Sequence, residues 1–171
     1  NLLGSPEIEV EKGFAGVMQT FDNTRPMVAG MAVGCAQAAL ERTREILAEA
    51  GTSVDYDRPL WSLTAAQAEL VRMEAELEAA RLLTLRAAWM ADNRQPNSKE
   101  ASISKAKAGR VANAVTLRCV ELCAAVGFEE KELVEKWARD SKILDIFEGT
   151  QQIQQLIIAR RILGKSSDQL R

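Results

Sequence analysis

The sequence predicts an all-α fold, an antiparallel four-helix bundle with a short extra helix. Three observations predict it. Only 4 prolines and 10 glycines interrupt 171 residues. Ala, Leu, Glu, Arg and Gln, all good helix formers, dominate the rest. Apolar residues recur at steps of three and four, and Val and Ile never form long alternating runs. Long helical stretches joined by short loops favour antiparallel neighbours around one core.

The elements follow in order. Asn1 to Lys12 contains Gly, Ser and Pro without a clear period and reads as an entry linker. Gly13 to Phe21 is expected as a short helix. Thr24-Arg25-Pro26 is expected to end it, because the residue before proline is pushed away from helical angles. Pro26 then suits the first turn of a second helix, which runs to about Ala50 and stops at Gly51. Gly51 to Trp61 is a polar connector. The next helix carries Leu70, Met73, Leu77, Ala80, Leu83, Ala87 and Met90 on one stripe. Asp92 to Ser98 is a loop with Pro96. A long helix from about Lys99 to Ala125 places Val111, Val115, Cys119 and Leu122 on one face. Glu129 to Asp140 is a shorter helix, and the last runs from near Gly149 to Gly164. The domain therefore spans 13–164, and 165–171 reads as a flexible tail.

Composition narrows the chemistry. There is no histidine. Ser-His-Asp and Cys-His nucleophiles are thereby excluded, as are zinc and di-iron sites that need a His ligand. Acid–base work must fall to a carboxylate, Lys, Tyr or Cys. The 22 basic and 24 acidic side chains leave a net charge of -2, which gives no reason to expect nucleic acid. No apolar run is expected to approach the roughly 18 residues that a membrane span needs. The 3 cysteines, Cys35, Cys119 and Cys123, lack framework spacing and are expected as small buried side chains in a reducing compartment. Trp61, Trp89 and Trp137 are expected as packing anchors. No metal site is expected.

Two segments carry more than a solvated helix face. One is Phe21-Asp22-Asn23-Thr24-Arg25-Pro26, a charged junction. The other is Asp145-Ile146-Phe147-Glu148-Gly149-Thr150-Gln151-Gln152, where a carboxylate precedes a helix start. Free N–H groups there can hold an anion such as a cofactor phosphate. Equally, Glu148 and Thr150 can simply cap the helix. Both readings stand on the residues alone.

An ordered set of motifs over about Asn1 to Gly164 resembles the C-terminal helical domain of the acyl-CoA dehydrogenases. Gly13-Phe14 is similar to the start of that domain, and Phe21 to Pro26 to its Asp-x-x-Arg segment. Leu77-Glu78-Ala79-Ala80-Arg81, Arg86-Ala87-Ala88-Trp89 and Ala101-Ser102-Ile103-Ser104-Lys105-Ala106 resemble its long helices. Val134-Glu135-Lys136 and Arg139-Asp140 precede Ile146-Phe147-Glu148-Gly149-Thr150, close to the family's Tyr-Glu-Gly-Thr. Ile153-Gln154 and Ile158-Ala159-Arg160 close the set.

The resemblance implies an FAD-dependent enzyme that oxidises an acyl-CoA thioester to the 2,3-enoyl-CoA. It implies a preceding β domain, so that residues 1–12 enter from it and the chain alone is an inactive piece of a larger protein. Glu148 matches the base that removes the α proton. Asp22, Asn23, Thr24, Arg25 and Gly149 match positions that bind the acyl-CoA. Thr150, Gln151 and Gln152 match positions beside FAD, as does Gln67 more weakly. An electron-transferring flavoprotein would accept the electrons, in the cytoplasm or, in a eukaryote, the mitochondrial matrix. The acyl class is not readable from these residues.

Two departures stand out. Residues 51–61 are longer than the family's connector and lack its Arg-x-x-Phe-Gly. The family's Gln-x-x-Gly-Gly-x-Gly reads here Glu121-Leu122-Cys123-Ala124-Ala125-Val126-Gly127. In the family both segments reach a neighbouring subunit's FAD. The expectation is a base-bearing subunit whose homologous partner, in a hetero-oligomer, supplies what this chain lacks. A non-catalytic structural subunit and a related acyl-CoA oxidase are the alternatives.

Overall fold

The computed structural model describes residues 10–170, and among them every regular element is helical. Five α-helices follow one another: α1 Val10–Glu49, α2 Ala65–Asp92, α3 Ser98–Cys123, α4 Val134–Leu144 and α5 Gln151–Leu163. Helix α3 is central and packs against the other four, while α1 also packs against α2 and α4. Residues 1–9 and 171 lie outside the described residues, so most of the expected linker does too.

The expected break at Thr24-Arg25-Pro26 is absent. Helix α1 is one element of 40 residues with Pro26 inside it. Proline lacks the N–H that would bond the carbonyl four residues back, at a cost of about 3 kcal/mol in a helix interior. That carbonyl belongs to Asp22. The Asn97 side-chain amide donates to it at 3.3 Å, supplying from another element the bond that Pro26 cannot make. Arg25, whose helical angles proline disfavours, is buried and paired with Asp22 at 2.6 Å. Tertiary contacts thus override the local preference of the residue before proline.

Most other boundaries lie close to the expected ones, but the helix expected over Glu129 to Asp140 is displaced to Val134–Leu144. Gly51 ends α1 at a φ of +82. The connector contains a short 3₁₀ turn, Leu60–Ser62. Thr64 caps α2, and the Gln67 side chain reaches back to the Thr64 backbone, a capping box. Helix α3 continues into a 3₁₀ segment, Ala124–Phe128, and a second 3₁₀ turn, Glu130–Glu132, precedes α4. Gly164 closes α5 at a φ of +62. The tail folds back: Arg160 Nε donates to the Leu170 carbonyl at 2.8 Å.

The core explains the close packing. Helix α1 contributes Ala32, Ala36, Ala39 and Leu40, and α3 contributes Ala108, Val111, Ala112, Val115 and Cys119. Small side chains on both let these two backbones approach closely. Leu70, Met73, Leu77 and Ala80 of α2 and Val134 and Leu144 of α4 complete it.

Three expectations need correction. Trp61 and Trp89 are 89% and 57% exposed; only Trp137 packs against the core. The stretch Ser98–Phe128 does contain a window long and apolar enough to cross a membrane, with mean hydropathy 1.5. Its apolarity has a different cause, since α3 is the central core helix and buries residues from Ala101 to Cys123. Cys119 and Cys123 are buried free thiols, but Cys35 is only half-buried.

Candidate active site

The site forms where α1, α3 and the link between α4 and α5 meet. Glu148 sits in that link with a φ of +58, and Gly149 follows at +100. Two successive positive φ values turn the chain sharply, and a side chain at the second would be strained. A Cβ on Gly149 would also collide with Gln154 Nε2.

Buried polar groups hold this turn. Gln154 is fully buried, and its amide donates to the carbonyls of Glu148 at 3.0 Å and Gly149 at 3.1 Å. Lys105, fully buried in α3, donates to the Gly149 carbonyl at 2.6 Å. The Glu148 carboxylate accepts from the Thr24 hydroxyl at 2.8 Å. Thr150 is the N-cap of α5 but makes no side-chain cap bond. Its hydroxyl is therefore free of capping duty, and the carboxylate of Glu148 is engaged with α1.

Two buried cations set the electrostatics. Burial pulls the Arg25 guanidinium below its ordinary pKa, against the opposing charges of Asp22 and then Glu148. Arg25 also stacks 5.8 Å from the Phe21 ring centre, and its Nε has no partner. Burial likewise pushes Lys105 down, with Asp145 opposing, Arg25 adding to the fall and Glu148 opposing it. A carboxylate facing two desolvated cations and a hydroxyl can serve as a positioned proton acceptor.

The structure brings Thr24, Arg25, Glu148 and Gly149 together, with Asp22 paired to Arg25. Asn23 is exposed. Gln151 donates to the Ala106 carbonyl at 2.7 Å and to the Asp145 carboxylate, while its Oε1 is buried without a partner. Gln152 is exposed at the start of α5. Gln67 is not part of this group. Its amide donates to the Ser53 carbonyl at 2.6 Å and its oxygen accepts from the Thr64 backbone at 2.9 Å. That places it past the far end of α1, roughly 35 Å of helix from Thr24.

Two hollows flank Asp22. One, of about 570 Å³, is lined by Asp22, Arg25, Arg160 and Arg161 among others. The second, of about 840 Å³, is lined by Asp22, Asn23, Asn97 and Arg161 among others. Glu148 is half-buried and lines neither.

Lys105, Gln154 and Asn97 were not singled out from sequence for any role. Lys105 did carry a signal, a lysine among Ala101, Ser102, Ser104 and Ala108 on the small-residue face of α3. Gln154 was marked only by the Ile153-Gln154 motif, since its run with Gln151, Gln152 and Gln155 does not reveal which one faces inward.

The fold and this turn define the chain as an all-helical bundle domain that presents a glutamate on a left-handed turn between α4 and α5. A family model described as "Acyl-CoA dehydrogenase, C-terminal domain" matches residues 11–163, and the chain belongs to that family. It is 37% identical over 163 residues to the probable acyl-CoA dehydrogenase YngJ of Bacillus subtilis, covering 95% of this chain and 41% of the relative. It is 38% identical to the short-chain specific acyl-CoA dehydrogenase, mitochondrial, of Bos taurus, covering 95% and 38%. Among solved structures, butyryl-CoA dehydrogenase from Megasphaera elsdenii superimposes with a TM-score of 0.79 at 34% identity, covering 89% of this chain and 39% of that one. The chain thus spans about two fifths of the length of the curated relatives it matches.

Proposed function

We propose that this chain is the C-terminal domain of an FAD-dependent acyl-CoA dehydrogenase, with Glu148 as the base that removes the α proton. The observation that carries the reading is the Glu148–Gly149 turn. A glutamate is held at positive φ, where it is strained, by two buried side chains that bond the carbonyls around it. Strain retained by surrounding structure is a mark of functional positions.

In the proposed reaction the Cα–H electron pair of the thioester becomes the C2=C3 bond, the α proton goes to the Glu148 carboxylate, and the β hydrogen leaves as hydride. FAD, when bound, supplies the acceptor for that hydride. The residues present fit it: the Thr150 hydroxyl is free of capping duty, Gln152 is exposed, and α5 offers its N-terminal N–H groups. Thr24 bonds the Glu148 carboxylate, Asp22 pairs with Arg25 in the same turn and Gly149 adjoins Glu148, and in this reading these four would orient the thioester. Asn23 and Gln151 belong to the same reading, and an electron-transferring flavoprotein would reoxidise the flavin. The matched relatives include a bacterial and a mitochondrial enzyme, and either aqueous, reducing compartment suits free cysteines.

We further propose a hetero-oligomer in which this chain bears the base. Glu121 stands where the family has glutamine, and it is exposed and paired with Arg118 at 2.5 Å. Ala124 stands where the family has glycine and is held at a φ of +49. An acid and a methyl group both discourage approach by a neighbour's dinucleotide. Gln67, committed to Ser53 and Thr64, is not included in the cofactor site of this reading.

The test uses the full-length gene product, alone and with a homologous partner. Glu148→Gln should lower turnover by at least about a thousandfold while flavin content holds. Unchanged turnover would favour a non-catalytic subunit, and direct oxygen consumption would favour an oxidase. Full FAD occupancy in a lone homodimer would overturn the heteromer.

A further inference from the structure

Pro26 leaves the Asp22 carbonyl without its helical partner, and the partner it has instead comes from the loop between α2 and α3. Asn97 is buried at 5% exposure. Its amide nitrogen lies 3.3 Å from the Asp22 carbonyl and 3.2 Å from that of Ala87. Asn97 occupies the N-cap position of α3, where asparagine normally turns its side chain onto the helix start. Here it makes no such bond. The side chain is committed across the interface instead, at some loss to its own helix.

The turn so held is the one that matters chemically. Asp22 carries the ion pair to Arg25 at 2.6 Å, and Thr24 in the same turn donates to Glu148 at 2.8 Å. An unbonded Asp22 carbonyl would free this turn to open at the proline, as proline-containing helices do. Arg25 and Thr24 would then move together relative to Glu148.

We propose that Asn97 is a positioning residue: its amide replaces the N–H that Pro26 lacks and fixes the Asp22–Arg25 turn against Glu148. The assignment rests on the dehydrogenase reading for its catalytic consequence and on the geometry alone for the contact. It makes an unusual demand, that the need for Asn97 vanish when residue 26 regains an N–H.

The experiment is a double-mutant cycle in the flavin-loaded, full-length protein. The four forms are the unsubstituted protein, Asn97→Leu, Pro26→Ala and the pair. Asn97→Leu should raise KM for acyl-CoA by about five- to tenfold, with flavin content retained, as expected for one lost buried hydrogen bond. In the Pro26→Ala background the same change should alter KM by less than about twofold. An equal rise in both backgrounds, or no rise with Pro26 present, overturns the proposal. Where Asn97→Leu yields no soluble protein, Asn97→Ala takes its place in the same cycle. The unfolding midpoint, read across the same four forms, must show the same coupling between positions 26 and 97. Coupling without any acyl-CoA turnover in the unsubstituted protein would overturn the dehydrogenase reading and leave the Asn97 contact supported.

Discussion

Among the described residues four non-glycine residues take a positive φ, Arg94, Ala124, Leu133 and Glu148, and the turns at Glu148 and Ala124 are supported very differently. At Glu148 the carbonyls are bonded by Gln154 and Lys105, and the side chain is bonded by Thr24. At Ala124 the φ is +49 and the ψ is -130, a region glycine populates readily and alanine does not. The residue is exposed, its N–H bonds the Glu121 carbonyl, and its methyl group serves no visible end. Nearby, Gly127 must be glycine, because a Cβ there would lie 2.7 Å from the Val120 carbonyl. One turn carries strain with buried support around a chemical group. The other carries strain at an exposed alanine with no buried side chain bonded to it.

The largest expected effect breaks the supported turn. Gly149→Ala meets both a positive φ and Gln154 Nε2. Turnover should fall by at least about a hundredfold in steady-state kinetics, since displacing Glu148 by about 1 Å suffices for that. Near-normal turnover would mean that the turn is looser than its hydrogen bonds require.

The second effect is on stability beside the other turn. Burial raises the Cys119 thiol to about 11 from an ordinary 9.0. A raised thiol pKa means the folded state keeps a proton that the unfolded chain releases. Stability from this group is therefore full below about pH 9 and is lost as pH climbs towards 11, by on the order of 2 kcal/mol. In urea unfolding, Cys119→Ala should remove that downward slope, whatever it does to stability at pH 7. An unchanged slope would assign the alkaline loss to another group.

The third separates chemistry from stability at Lys105. Lys105→Met keeps the length but removes both the charge and the donor to Gly149. Turnover should fall about tenfold as the turn loosens. Stability should fall less than loss of a hydrogen bond alone implies, because a desolvated ammonium is removed too. The lysine's lowered pKa adds a pH signature. The unfolded chain binds the proton more tightly, so stability rises with pH through the folded pKa and levels off near the ordinary lysine value. The Met variant should lack that rise.

The difference between the two turns also marks what a sequence can tell. The helices were legible because stripes such as Leu70, Met73 and Leu77 state their own period. The Glu148 turn was legible as a segment, because a carboxylate before Gly-Thr at a helix start is unusual and resembles a family motif. Its support was not, since Gln154 and Lys105 act through a register that only the packed bundle defines. Pro26 is the clearest case. Its local rule predicts a break, and a residue far along the chain, Asn97, cancels it. Likewise Trp89 falls on an exposed face of α2 that no composition argument identifies.

The smallest effect sharpens the contrast at its origin. Ala124→Gly removes a methyl group from a backbone position that glycine tolerates better, and it deletes no hydrogen bond. It should stabilise the protein by about 1 kcal/mol in chemical unfolding, the relief of positive φ exceeding the entropy glycine adds to the unfolded chain. Glu148→Gly relieves a similar strain but also deletes the bond from Thr24, so it should gain less and abolish turnover. If Ala124→Gly gains nothing, the two turns are equally relaxed and the contrast fails. If it gains stability, the next step is Glu121→Gln with Ala124→Gly and Ala125→Gly in a lone homodimer. A rise in flavin content there, with none from Ala124→Gly alone, would attribute the missing contact to the acid and both methyl groups rather than to strain.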